Sequence, residues 1–149
     1  MKMSPEFQRA AAAMGPGQIS KEGFLGNDTR SLVDIIQADE EEMGRLGLSF
    51  ETVTERLTRI FEEGKKAYGT PVVFESWRIT LIEARGSIPC PFKDMRFAKQ
   101  AATITHRVTG QALAVSNLSL HLFSSHHFLQ GRGSPFRLEP VVLKQVLGL

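Results

Sequence analysis

The chain has 149 residues, of which 42% are hydrophobic and 23% are charged. This length and composition fit one globular domain and exclude disordered and fibrous proteins. The single cysteine, Cys90, excludes an internal disulfide. The sequence shows neither a secretory signal nor a run of ~18 apolar residues, so we expect a cytoplasmic protein that has no membrane partner.

Charge is distributed unevenly along the chain, although the formal net charge is only +2. Residues 28–63 carry four basic and ten acidic side chains, whereas residues 64–149 carry eleven basic and four acidic ones. Because the local field recruits a charged ligand more than the net charge does, we expect an anionic partner to bind the C-terminal part. Solvated charges on unrelated faces would give the same counts.

The N-terminal half is patterned as helices. Residues 1–27 are predicted to form an arm and a loop, and residues 28–69 a helical hairpin. Asp28 and Ser49 are predicted to be the N-caps of the two hairpin helices, since a short polar side chain there can accept a free backbone N–H. The joint at Gly47 is very short, so we expect the two helices to pack together.

The next part of the chain changes to a period of two. Trp77, Ile79 and Leu81 alternate with polar or charged residues, which is typical of a half-buried strand. Residues 101–108 and 111–116 are two further predicted strands, joined by a tight turn.

Two other segments are predicted from prolines and from apolar content. The segment GSIPCPF, residues 86–92, contains two prolines, which remove backbone donors and restrict the residues before them. We therefore predict a rigid loop there and not a central strand. Residues 140–149 are apolar enough to form a docked C-terminal helix.

These elements predict an α+β fold as a single globular domain over residues 1–149. The N-terminal helical hairpin is expected to pack on a small antiparallel sheet, and residues 70–149 supply that sheet, a His-rich helix and the C-terminal helix. Because such a sheet has open edges, we expect an oligomer, namely a homodimer that covers an edge.

The most distinctive stretch is NLSLHLFSSHHFLQGRGSPFRLEP, residues 117–140, which holds three of the four histidines and two arginines. Its leucines recur at helical spacing between Asn117, the predicted N-cap, and Gly131, the predicted stop. Alternating leucines in residues 117–123 are also typical of a strand, so that segment stays open between helix and strand. We favour the helix, because its length and both of its ends agree.

Cys90, His121 and His126 are the candidate catalytic residues, because a thiolate and an imidazole can act as nucleophile and base. The same residue types bind zinc, but one cysteine among scattered histidines gives neither a CxxC nor an HxxxH pattern. His121 and His126 are five positions apart on the predicted helix and should diverge. We therefore predict no metal site and no cofactor, and structural roles for these residues remain the alternative.

The turn after the His-rich segment is the candidate ligand-binding site. Its members are Gly131, Arg132, Gly133, Ser134 and Arg137. Two glycines can direct several backbone N–H groups toward one anion, and the arginines add positive charge. An ordinary turn would use the same residues, and the negative end of the preceding helix opposes an anion. The function predicted from this turn is a small binding or regulatory module for an anionic small molecule.

Two other functions stay open, and the sequence does not decide whether the protein is an enzyme. One is an enzyme that uses Cys90 with a histidine. The other is a helix-turn-helix DNA-binding protein, because Gly47 and Ser49 join two helices through a short turn. The negative charge of residues 28–63 would repel phosphate, so we expect no nucleic-acid partner.

The combination of GSIPCPF, the His-rich segment and GRGSPFRLEP resembles a set of small bacterial cytosolic proteins that have no assigned activity. The resemblance covers residues 23–140 as a pattern. It implies a bacterial origin and one compact domain, and it transfers no catalytic residue to this chain.

Overall fold

The computed structural model describes residues 3–15 and 23–149, and the remainder of the predicted arm and loop lies outside these residues. The described helices are α1 (Pro5–Ala12), α2 (Leu32–Arg45), α3 (Phe50–Lys65), α4 (Asn117–His126) and α5 (Pro140–Leu147). The strands are β1 (Val72–Phe74), β2 (Trp77–Pro89), β3 (Arg96–His106) and β4 (Ala112–Ser116), and they form one antiparallel sheet in the order β1-β2-β3-β4. The predicted α+β class is confirmed. Within the described ranges, every helix is too short or too polar to cross a membrane.

One face of the sheet carries the main hydrophobic core. Trp77, Ile79 and Leu81 are buried on this face, as their alternation predicts, together with side chains from β3 and β4. Val73 and Ile82 belong to the opposite face and are exposed. Side chains of α3 and α5 join this core, so these two helices cover that face of the sheet.

The two hairpin helices have different partners. Ser49 caps α3 as predicted, and α3 packs on β2 and α4. In contrast, α2 packs against α1 and α5. The expected packing of α2 on α3 is limited to their junction, where Met43 and Leu48 join the main core.

The predicted N-cap of α2 is wrong. Ser31 caps this helix, because its side chain accepts a backbone N–H from the first turn. The Asp28 carboxylate instead accepts two side-chain hydrogen bonds from Arg30, at 2.9 and 2.6 Å, and the backbone N–H of Arg132 at 3.2 Å. Asp28 thus connects the loop before α2 to the loop after α4.

The prediction that residues 86–92 form only a loop is also wrong in part, because β2 continues to Pro89 and pairs with the start of β3. The short β1 pairs with β2 only as far as Ile79, so the later part of β2 has a neighbour on one side only. Proline is tolerated on such an edge, where no second strand needs its missing N–H. The loop itself begins at Cys90.

The segment that was open between helix and strand is helical, but both predicted ends of that helix are wrong. Ser116 is the N-cap: its Oγ accepts the backbone N–H of Ser119, and Ser119 Oγ accepts the backbone N–H of Ser116, which makes a capping box. The Asn117 side chain donates instead to a backbone carbonyl of β3. The helix stops at His127, which takes the left-handed conformation that we expected at Gly131.

Candidate metal centre

Four side chains with metal-ligating atoms converge at one end of α4: Cys90, Asp94, His121 and His126. One ligand atom from each lies within 4.8 Å of all the others. The loop between β2 and β3 supplies Cys90 and Asp94, and α4 supplies both histidines. The structure therefore brings together the three candidate catalytic residues and adds Asp94, which the sequence prediction missed.

The β2–β3 loop places Asp94 beside Cys90 by reversing the chain within a few residues. The backbone N–H of Lys93 donates to the Cys90 carbonyl oxygen at 2.8 Å. The backbone N–H of Cys90 donates to the Met95 carbonyl oxygen at 2.9 Å. Pro91 fixes φ at the second position of this turn, and Lys93 takes a left-handed φ of 64°. Pro91, one of the two prolines that predicted a rigid loop, thus helps to shape the site.

Both histidines direct Nε2 at the same carboxylate. His121 Nε2 lies 3.0 Å from Asp94 Oδ2, and His126 Nε2 lies 2.8 Å from the same oxygen. Five positions along a helix separate two side chains by roughly 140° of azimuth, which is why we expected them to diverge. That expectation is wrong, because both rings turn toward a carboxylate that a separate loop places between them.

Neighbouring side chains fix the orientation of the two imidazole rings. Phe92 stacks on His126, with ring centroids 4.0 Å apart and planes 10° from parallel, and Phe97 lies against His121 at 4.9 Å. Ser125 Oγ lies 3.3 Å from His121 Nδ1. A hydrogen bond at Nδ1 holds an imidazole in the orientation that presents Nε2 to a ligand, as partners of metal-bound histidines commonly do.

The pKa values of two members of the cluster, Cys90 and Asp94, are shifted by their surroundings. Burial raises the pKa of the Cys90 thiol to about 12, and the neighbouring Asp94 carboxylate raises it as well. For Asp94, burial acts to raise the pKa, but hydrogen bonds with Cys90, His121 and His126 outweigh it and hold the pKa below its usual range. The metal-free cluster therefore contains a protonated thiol beside a carboxylate anion, and a bound cation would displace the thiol proton.

The distances fit a small tetrahedral ion after minor adjustment. With bonds of ~2.0–2.1 Å to nitrogen or oxygen and ~2.3 Å to sulfur, the ligand atoms around zinc lie roughly 3.3–3.7 Å apart. His126 Nε2 lies 2.8 Å from Asp94 Oδ2 and 3.9 Å from Cys90 Sγ, and all four ligand atoms lie within 4.8 Å of one another. Shifts of about 1 Å or less would bring all four atoms to one ion.

The backbone of the predicted anion-binding turn makes hydrogen bonds within the chain. The N–H of Gly131 donates to the Phe24 carbonyl oxygen at 2.8 Å, and that of Ser134 donates to the Gly131 carbonyl oxygen at 3.1 Å. The N–H of Arg132 donates to Asp28, which is itself an anionic group. Three of the donors proposed for an external anion thus already have partners.

The two arginines of this turn are in different environments. Arg137 is largely buried, and its guanidinium forms two hydrogen bonds with the Asp39 carboxylate, at 2.9 and 2.8 Å. It also pairs with Glu139. Arg132 is exposed, so it is the arginine of this turn whose side chain is accessible to a dissolved anion. Anion binding by the turn stays a prediction.

We expect Cys90 to react with iodoacetamide more slowly than a free model thiol at neutral pH. The residue is 1% exposed, and its raised pKa keeps it as the thiol, whereas the thiolate is the nucleophile. Mass spectrometry of the folded, metal-free protein over time would measure the rate, with the urea-unfolded protein as the control. Modification faster than that of the model thiol would show an activated thiolate and would favour the enzyme interpretation.

Asp94 is the site residue that the sequence prediction missed. Its only sequence signal is its position four residues after Cys90, across a turn that contains Pro91. A carboxylate at that spacing is common in ordinary turns and does not indicate a metal on its own. Comparison of the chain with protein-family models, with curated proteins and with solved structures found no match, so the site is interpreted from its own chemistry.

Proposed function

We propose that this protein is a metal-binding module that holds one divalent transition-metal ion, with zinc as the best fit. The ligands are Cys90 Sγ, one Asp94 carboxylate oxygen, and Nε2 of His121 and His126. The observation that carries the proposal is the convergence of these four atoms from two separate elements. Zinc accepts thiolate, imidazole and carboxylate ligands together, whereas magnesium and calcium prefer oxygen alone.

A structural or regulatory role fits this site better than catalysis. Four protein ligands fill a tetrahedral ion, whereas catalytic zinc sites keep one position for water or substrate. The bound ion would connect the β2–β3 loop to the second half of α4. Cys90 also belongs to a second hydrophobic cluster, which includes Ala10 and Met14 from the N-terminal segment. Binding at Cys90 would therefore stabilise the contacts among these segments.

An enzyme that uses Cys90 with a histidine is the second candidate. Cys90 Sγ lies 3.9 Å from His126 Nε2, which brings a thiol close to a base. However, the same nitrogen lies 2.8 Å from Asp94, and the pKa of the thiol is raised rather than lowered. These two features argue against nucleophilic catalysis by Cys90, since the nucleophile is the thiolate.

Titration of the metal-free protein with cobalt(II) tests the proposed function, since cobalt(II) reports coordination through its visible spectrum. We expect one equivalent to give the intense bands of a tetrahedral ion and a thiolate-to-cobalt charge-transfer band. Zinc should displace the cobalt and raise the melting temperature, because a ligand at 100 times its Kd stabilises the native state by about 2.7 kcal/mol. Magnesium at the same concentration should do neither.

The matched variant for this titration is Cys90→Ser, which keeps the size of the side chain and removes the thiolate. It should lose the charge-transfer band. The proposal fails if the parent protein shows no cobalt spectrum and no zinc-dependent melting, or if the Ser variant gives the same thiolate band.

A further inference from the structure

A cavity of about 490 Å³ lies beside the start of α4, between the outer part of the β2–β3 hairpin and the loop that follows α4. None of the four proposed metal ligands lines it. Its walls are largely apolar and include Phe24, Ile88, Leu118 and Phe136. A volume of this size is typical of small-molecule sites, and its apolar walls favour an apolar ligand body.

The buried end of the cavity carries a polar group with spare donor capacity. Gln130 and Ser134 line the cavity and are only 2% and 9% exposed. Ser134 Oγ lies within hydrogen-bond distance of both Gln130 Oε1 and the Gly23 carbonyl oxygen, so its single proton is already used. In the part of the chain that the structure describes, Gln130 Nε2 has no hydrogen-bond partner. Gln130 is buried as a residue, but this nitrogen is not among the fully buried atoms without a partner, so it is accessible from the cavity. An amide donor at an otherwise apolar wall favours a ligand that supplies an acceptor.

The mouth of the cavity indicates the charge of that ligand. Glu83 on β2 and Lys99 on β3 line it, and both side chains are exposed. Their charges are opposite, so neither an anionic nor a cationic head group gains a net attraction there. A charged head group at the buried end would lose its hydration without an ionic partner, which is costly.

We propose that this cavity binds a neutral small molecule that has an apolar body and a carbonyl oxygen, and that Gln130 Nε2 donates a hydrogen bond to this oxygen. The uncharged amide of Gln130 recognises the carbonyl, and the apolar walls bind the remainder of the ligand. This site is separate from the proposed metal centre and does not depend on it.

Isothermal titration calorimetry with three eight-carbon probes tests the proposal on the full chain. Octanamide is neutral and carries a carbonyl, octanoate is its anionic analogue, and octylammonium is the cationic one. We expect octanamide to bind at least ~10-fold more tightly than either charged probe, because a charge buried without a partner is costly. Equal or tighter binding of octanoate or of octylammonium would overturn the proposal, and so would a lack of octanamide binding.

Two variants locate the binding. Gln130→Leu should weaken octanamide binding by roughly threefold to tenfold, since it removes one neutral hydrogen bond. Ala101→Phe places a large side chain at the half-buried Ala101, which lines the cavity, and should abolish binding of octanamide. Ala114→Phe, at a half-buried strand position outside this cavity, is the matched control and should bind normally. If the Gln130 variant does not fold, unchanged affinity in Ala101→Phe would still overturn the assignment.

Discussion

Replacing Arg137 by Ala is expected to destabilise the protein by about 3–5 kcal/mol, because removal of one member of a buried ion pair leaves the other as an uncompensated charge. The side chains of Arg137 and Asp39 are only 9% and 6% exposed, and their two hydrogen bonds link the loop after α4 to α2. Burial acts to lower the pKa of Arg137, but the hydrogen bonds that its guanidinium donates to Asp39 and Glu139 raise it above its usual value. Urea denaturation of the parent and the variant would measure the difference.

The matched control is Arg132→Ala, which changes the exposed arginine of the same turn. We expect its free energy of unfolding to stay within about 0.5 kcal/mol of the parent value, as is usual for exposed positions. A loss below ~1 kcal/mol in the Arg137 variant would contradict the buried pair, against the usual cost of breaking one. Such a small loss would mean that the Arg137 guanidinium of the parent protein is not held by Asp39. It could then bind the anionic ligand that the sequence suggests.

Local signals predicted most elements of the fold, but they missed the short strand β1 and several of the element ends. The period of two at Trp77, Ile79 and Leu81 located β2, because burial on one face of a sheet requires that alternation. Caps were less predictable, since several polar residues near a helix start compete for the role. Ser31 caps α2 because Asp28 is occupied by Arg30 and by the distant loop after α4, and such a tertiary contact leaves no local signal.

The candidate site illustrates the same limit. Residue type alone identified Cys90, His121 and His126 as chemically capable, but spacing along the sequence argued against a common site. Their convergence depends on the β2–β3 loop, which places Asp94 against the end of α4, a contact between segments distant in the sequence. Two elements each contribute a pair of these residues, and the spacing within each pair matches neither CxxC nor HxxxH. Short spacing motifs therefore do not reveal such a site.

Substitution of one of the proposed histidine ligands should produce a large loss of metal affinity. We expect His126→Gln to weaken zinc binding by at least ~100-fold, since the loss of an outer-sphere partner alone commonly costs 10–100-fold. Glutamine can still hydrogen-bond to Asp94, so the metal-free variant should melt close to the parent. Zinc affinity would be measured by competition with a chromophoric chelator.

The control for this substitution is His127→Gln, one position further along the chain. His127 Nδ1 lies 2.8 Å from Glu40 Oε2, and its ring stacks on Phe50 with centroids 3.8 Å apart, so it takes no part in the cluster. Its variant should lose these contacts and keep the zinc affinity of the parent. If both variants lose zinc equally, the effect comes from disruption of the end of α4, and if His126→Gln retains full affinity, the ion does not bind at this cluster.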